Sequence, residues 1–208
     1  MPLYKTLTPD SSTTIKLWKI TESFEDLNRV VKLRKPSRQR VESMKSEIHQ
    51  RGFLSIRHLL RESGYTDKDL YYDKNGKPHL TDGKYISISH SFNFSGIVVS
   101  DHPVGIDIER QREKIKRIVR KFSDYELNYL NSDQSDYVRK LTVIWCIKES
   151  LYKLYAQPGL SFKDHTLVIP FNIEEKSTRS WIDFKKIKSS YQGNFFEFEG
   201  FTCAYVLP

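Results

Sequence analysis

The sequence predicts a mixed α/β protein (α+β in its element order) built in two halves. Three observations carry that reading. Apolar and polar residues alternate with period two in several short segments, as half-buried strands do. Other segments place apolar residues three and four apart, as helices with one buried face do. The order is strand, helices, strands, and then strand, helices, strands again. The break falls near Asp101–Pro103, giving an N-terminal half, 1–102, and a C-terminal half, 103–208. Each half has roughly the usual length of a domain. No Gly/Ser linker separates them, so close packing of the halves is expected.

The elements follow in order. TIKLWKI (14–20) reads as the first strand. Pro36 to Glu62 reads as mostly helical, with Gly64 as its C-terminal cap. Within it GFLSIRHLL (52–60) carries a broad apolar face. LYYDKNGKPHL (70–80) reads as two extended pieces joined by a turn at Asn75-Gly76. YISISHS (85–91) alternates strictly, SGIVVS (95–100) is a further strand, and VGIDIER (104–110) follows a turn at Asp101–Pro103. KIKRIVRKF (114–122) reads as a basic helix, and Ser123 to Glu126 as a capping box opening another. Asp136 to Tyr155 makes a long helix ending near Gln157-Pro158-Gly159, with Leu141, Ile144, Trp145, Leu151, Tyr152 and Tyr155 as its buried stripe. SWIDFKKI (180–187), NFFEFEG (194–200) and FTCAYVL (201–207) supply the closing strands.

Composition narrows the class of function. With 38% hydrophobic and 13% aromatic residues the chain folds around a real core. No apolar run reaches the length of a membrane span, and MPLYKTLTPD lacks the apolar core of a signal peptide, so a cytoplasmic protein is expected. Two cysteines are too few for a disulfide framework, and Cys146, in an apolar helical run, is expected to be buried. The six histidines show no zinc-ligand spacing. The net charge of +8 is concentrated in two clusters, Arg29 to Arg40 and Arg110 to Lys121. Such clusters attract phosphates, nucleic acids or acidic proteins, and also occur as plain solvated faces.

The chemistry starts at VGIDIER. Val104, Ile106 and Ile108 alternate with Gly105, Asp107 and Glu109, which puts the two acids side by side on one face of a strand. Acids on the open face of a strand are ordinary, but two in register repel unless a cation offsets them. Glu149 stands four residues before Lys153 on the long helix, the spacing of a simple surface ion pair. Asp107, Glu109 and Glu149 together would suit Mg2+, with Lys153 beside them to neutralise a phosphate or protonate a leaving group.

VGIDIE followed by WCIKESLYK resembles the two signatures of 4′-phosphopantetheinyl transferases of the surfactin-synthetase-activating (Sfp) type, within the holo-acyl-carrier-protein synthase superfamily. GKP (76–78) and ISHS (88–91) resemble two further motifs of that family, in the expected order. RGFLSIRHLL (51–60) is similar to its RxFLxxRxLL helix, and GLS (159–161) to the loop after the catalytic helix. Cys146 departs from the usual Ser, Thr or Ala, and Gln157-Pro158 from the usual Gly-Lys.

The resemblance implies two similar α/β halves related by a pseudo-twofold, with the active site at their junction. It implies transfer of the phosphopantetheine arm of coenzyme A to a serine hydroxyl of an acyl or peptidyl carrier protein, releasing adenosine 3′,5′-bisphosphate. Asp107, Glu109 and Glu149 fall on its metal positions, and Glu149 also on that of the base that deprotonates the serine. Lys153 falls on a pyrophosphate contact. Lys77, Ser89 and His90 match positions holding coenzyme A phosphates. Arg51, and by looser alignment Arg38 with Arg34 and Arg40 as interchangeable candidates, match basic positions near the nucleotide; Asp107 and Lys153 complete the coenzyme-binding set. The basic stretch 110–121 would steer an acidic carrier protein. A monomer is expected, without nucleic acid or membrane as partner. Two other readings compete: a magnesium-dependent nuclease, and a non-catalytic module that binds coenzyme A or an acidic protein.

Overall fold

The computed structural model describes residues 3–208. They form two compact units, one running to His102 and the other from Pro103 to Pro208.

In the first unit, β1 (Leu3–Asp10) and β2 (Thr13–Lys19) form a hairpin, followed by helices α1 (Phe24–Val30), α2 (Lys35–Glu42) and α3 (Glu47–Glu62). Two short strands, β3 (Leu70–Tyr72) and β4 (Pro78–Leu80), pair with each other, and β5 (Tyr85–Ser91) and β6 (Phe94–Ser100) follow. Among the described residues the main sheet is antiparallel, in the order β1-β2-β6-β5. Its core joins Trp18, Leu54, Leu59 and Leu60 to Ile86 and Ile97.

Helix α1 was not anticipated, although it has a local signal: the Ser23 hydroxyl accepts the Asp26 N–H at 3.1 Å and caps it. The mostly helical stretch expected over 36–62 is made of two helices, α2 and α3. The Ser43 hydroxyl donates to the Arg40 carbonyl at 2.8 Å, a local bond that competes with helix continuation.

The second unit opens with β7 (Gly105–Arg110) and continues through α4 (Val119–Phe122), α5 (Tyr137–Tyr155) and α6 (Phe162–His165). Then come β8 (Thr166–Val168), β9 (Ser177–Phe184), β10 (Ile187–Phe198) and β11 (Phe201–Leu207). The antiparallel sheet runs β7-β11-β10-β9-β8, so β7 is an edge strand. The core joins Leu141, Ile144, Ile147 and Leu151 of α5 to Ile182, Phe195, Ala204 and Val206 of the sheet.

Four expectations are corrected in this unit. The basic stretch 114–122 is a 3-10 turn, Glu113–Arg117, and the short α4. Ser123 to Glu126 opens only a 3-10 turn, because the buried Glu126 carboxylate turns inward to Lys148 at 2.7 Å and to the Val168 N–H at 3.0 Å. Lys148 is itself fully buried, and its ammonium also donates to the Phe122, Phe162 and Thr166 carbonyls. The strand expected over 180–187 reverses at Lys185-Lys186, both with positive φ (52° and 66°), a turn made without glycine or asparagine. Tyr152, expected in the buried stripe of α5, is 39% exposed; its ring packs edge-on against Phe162.

Helix α5 ends at Ala156, in the left-handed conformation (φ 51°), one residue before the expected Gln157-Pro158-Gly159 stop. Among the described residues no helix is long and apolar enough to cross a membrane.

Candidate active site

The site in the second unit is set by one close approach. A Cβ on Gly105 would lie 1.9 Å from the Ser150 carbonyl oxygen, so only glycine lets the backbone of α5 rest on β7 here. The Ser150 hydroxyl fastens the same turn of helix to the next strand by donating to the Ala204 carbonyl at 3.1 Å, shared with the Cys146 carbonyl at 2.7 Å. Side chains two apart on a strand share a face. Asp107 and Glu109 therefore share the face of Gly105, under α5. This is not the open, solvated face on which acids are ordinary: Asp107 is only 4% exposed.

From α5, Lys153 reaches down to this strand. Its ammonium donates to Asp107 Oδ1 at 2.7 Å and to the Ile106 carbonyl at 3.0 Å. Lys153 thus forms a partly buried bridge from helix to strand rather than the simple surface pair that its spacing from Glu149 allows. Burial works against the Lys153 charge, but Asp107, by its charge and its hydrogen bond, and then Glu149 outweigh it and hold the ammonium above the ordinary lysine range.

Glu149 behaves oppositely. Burial, then the Asp107 charge, and more weakly Glu109, push its carboxyl up to about 7, against the opposing pull of Lys153. Cys146 is fully buried beside the same acids. Burial and the charges of Asp107 and Glu109 push its thiol well above the usual range, so it stays neutral.

Among the described residues no three His, Cys, Asp or Glu side chains are grouped closely enough to hold a metal ion. The donor set nonetheless fits magnesium in kind: Asp107, Glu109 and Glu149 offer only hard carboxylate oxygens, and their mutual repulsion is what a cation would relieve.

The first unit holds a cavity of about 350 Å³. His90, at the end of β5, lines it together with Arg40, His49, Arg57 and Tyr72. Gly52 makes room for it: a Cβ there would lie 2.6 Å from His90 Cδ2. Arg57 is held by Asp67, its Nε donating to Oδ1 at 3.0 Å, while its guanidinium lies 3.5 Å from the centre of the Phe53 ring.

Of the expected coenzyme contacts in this half, His90 lines the cavity, and Arg38, Arg51, Lys77 and Ser89 are not among its lining residues. Arg38 is exposed on α2. Arg51 donates to the Ile20 carbonyl at 3.4 Å. Lys77 closes the turn before β4, its N–H bonded to Asp73, and burial lowers its ammonium's pKa. Ser89 is buried on the face of β5 opposite His90. Of the interchangeable arginines, Arg40 lines the cavity, whereas Arg34 binds the Leu70 carbonyl. His49, Arg57 and Tyr72 were missed. The arginine sits in the quoted RGFLSIRHLL motif, but no spacing rule separates a cavity-lining arginine from a solvated one.

An α/β protein whose covering helix sets a lysine on an acid of the edge strand, with Glu109 and Glu149 on the same two elements, suits the enzymes that move phosphate-bearing groups. Residues 103–206, which contain all four, match the family model of the 4′-phosphopantetheinyl transferase superfamily. A 4′-phosphopantetheinyl transferase, gsp, of Aneurinibacillus migulanus is 32% identical over 165 residues, covering 74% of this chain and 65% of its own length. The chain belongs to the 4′-phosphopantetheinyl transferase superfamily.

Proposed function

We propose that the protein transfers the 4′-phosphopantetheine arm of coenzyme A to a serine of an apo acyl or peptidyl carrier protein. The observation that carries the reading is the Lys153–Asp107 bridge with Glu149 half-buried beside it, on the residues that match the family's signatures. The serine Oγ forms a bond to the β-phosphorus, the bond from that phosphorus to the bridging oxygen breaks, and adenosine 3′,5′-bisphosphate leaves.

Glu149 takes the serine's proton. Lys153, kept charged by Asp107, donates hydrogen bonds to the pyrophosphate and so stabilises the negative charge of the leaving phosphate, which departs as its anion. Asp107, Glu109 and Glu149 would hold magnesium, which when bound offsets the charge of the pyrophosphate. The cavity of Arg40, His49 and His90 with the Tyr72 ring has a cation, hydrogen-bonding imidazoles and aromatic surface to take the 3′-phosphate and adenine. The exposed Arg117 and Arg120 receive the acidic carrier. Two free, buried cysteines suit a reducing cytoplasm as the place of action.

The test is a mass spectrum of an apo carrier protein after incubation with the protein, magnesium and coenzyme A. The expected gain is one phosphopantetheine, lost with EDTA and reduced at least about a hundredfold in rate by Glu149→Gln. No gain on several unrelated carriers, with coenzyme A still bound, would overturn the transferase reading in favour of a binding module.

A further inference from the structure

Glu109 stands one residue from the end of β7, half-buried at the wall of a cavity of about 270 Å³ that Thr142 and Trp145 line from α5. A glutamate has several side-chain torsions, and ordering them costs free energy that a neighbour can offset in advance. The ladder supplies such a neighbour. Thr202 of β11 is the register partner of Glu109 on β7 and of Glu197 on β10. Residues directly opposite in an antiparallel pair share a face, with Cβ atoms about 4.5–5.5 Å apart. Glu109, Thr202 and Glu197 therefore form a row across three strands, with the fully buried threonine between two carboxylates.

The hydrogen bonds around Thr202 decide which carboxylate its hydroxyl serves. Gln111, two residues beyond Glu109, donates its backbone N–H to the Gly200 carbonyl at 2.9 Å. Its side-chain amide donates to Glu197 Oε1 and to Thr202 Oγ1, the latter at 3.0 Å. A carboxylate only accepts, so the amide nitrogen faces Glu197, and both of its hydrogens are used.

Arg139 reaches Glu197 from α5. Its Nε donates to Oε1 at 2.9 Å and to Oε2 at 3.1 Å, and its terminal nitrogen also donates to Oε2. Glu197 thus accepts four hydrogen bonds, two on each oxygen, which fills the lone-pair sites of a carboxylate. Thr202 Oγ1 accepts from Gln111 and keeps one hydrogen to donate, and Glu197 has no site left to take it.

We propose that Thr202 is a positioning residue for Glu109: its hydroxyl donates to the Glu109 carboxylate and holds it ready for the cation, while Gln111 and the Arg139–Glu197 pair fix the direction of that hydroxyl. The inference rests on the magnesium role proposed for Asp107, Glu109 and Glu149.

The experiment measures Mn2+ binding to the full-length protein with coenzyme A present, by loss of the free ion's electron paramagnetic resonance signal. Mn2+ shares the preference of Mg2+ for carboxylate oxygens. Thr202→Val should weaken Mn2+ binding by about tenfold or more, the usual result of removing a hydrogen-bond partner behind a metal ligand. Thr202→Ser keeps the hydroxyl and should bind near the original affinity. Gln111→Leu, a change at a half-buried position, should weaken binding several-fold and serves alone if Thr202→Val does not fold. In a Glu109→Gln background Thr202→Val should have no further effect on affinity, since the carboxylate it serves is gone. A role confined to packing would lower the urea midpoint and leave the Mn2+ affinity of the folded protein unchanged. Unchanged affinity in Thr202→Val or in Gln111→Leu, or an equal loss in Thr202→Ser, would overturn the positioning role. No Mn2+ binding by the unaltered protein with coenzyme A bound would overturn the magnesium reading itself, and this inference with it.

Discussion

At the scale of single residues, the position least open to change in the second unit is Gly105, which touches no substrate in the proposed reaction. Gly105→Ala drives a methyl into the Ser150 carbonyl, which belongs to the backbone of a long helix and does not give way. The expected cost is about 3 kcal/mol or more, at the top of the overpacking range, read as a lowered midpoint in urea unfolding.

Asp67 is the matching point in the first unit. Burial alone would raise its carboxyl, but the Arg34 N–H, the Ser37 hydroxyl and the Arg57 guanidinium outweigh burial and hold it below the ordinary carboxylate range. A depressed folded value means the stabilisation is full above the unfolded value near about 4 and is lost as the pH falls through the folded one. Unfolding free energy measured against pH should therefore drop below about pH 4, and Asp67→Asn should remove that part of the slope. Identical pH profiles for the two proteins would count against it.

At the scale of elements, Lys148 and Glu126 tie α5 to the segments before and after it. Because both are buried, removing one leaves the other without its counter-charge. Lys148→Met and Glu126→Leu are each expected to cost about 3–5 kcal/mol in chemical denaturation. The double variant should cost clearly less than the sum; strict additivity would mean that the two do not act as a pair.

This pair also shows where the sequence was legible and where it was not. The strands of period two and the apolar spacing of α5 could be read because burial on one face leaves a pattern. The two acids and the helix that faces them were readable as residues, but their burial was not. Period two says that Asp107 and Glu109 share a face; only the contact at Gly105 says that α5 covers it. Ser123 and Glu126 have the spacing of a helix start, and the carboxylate instead answers a lysine 22 residues away in sequence, a long-range demand that overrides local propensity. The Lys185-Lys186 turn carries no turn residue at all, so pairing of the flanking strands imposes it. Arg40, rather than the equally basic Arg38, lines the His90 cavity because of its position on a helix whose ends were not resolved in the sequence reading.

At the scale of the whole molecule, the net charge of +8 bears on rates of encounter. If the exposed Arg117 and Arg120 steer an acidic carrier protein, charge reversal at both should raise the carrier's KM by about tenfold and leave that of coenzyme A near its original value. Added salt should narrow the gap between the two proteins, because exposed charges are screened. Steady-state kinetics at two ionic strengths decides it: equal carrier KM values in both proteins at low salt would remove this surface from the docking account.

The two cysteines have a practical consequence. Both are fully buried, and the acids beside Cys146 keep its thiol neutral, so neither should react readily with maleimide while the fold is intact. A single cysteine introduced on an exposed helix face would then be the one position to take a dye. The native chain is in effect already a cysteine-silent background for distance measurements by fluorescence, with no need to disturb the helix that carries Glu149 and Lys153.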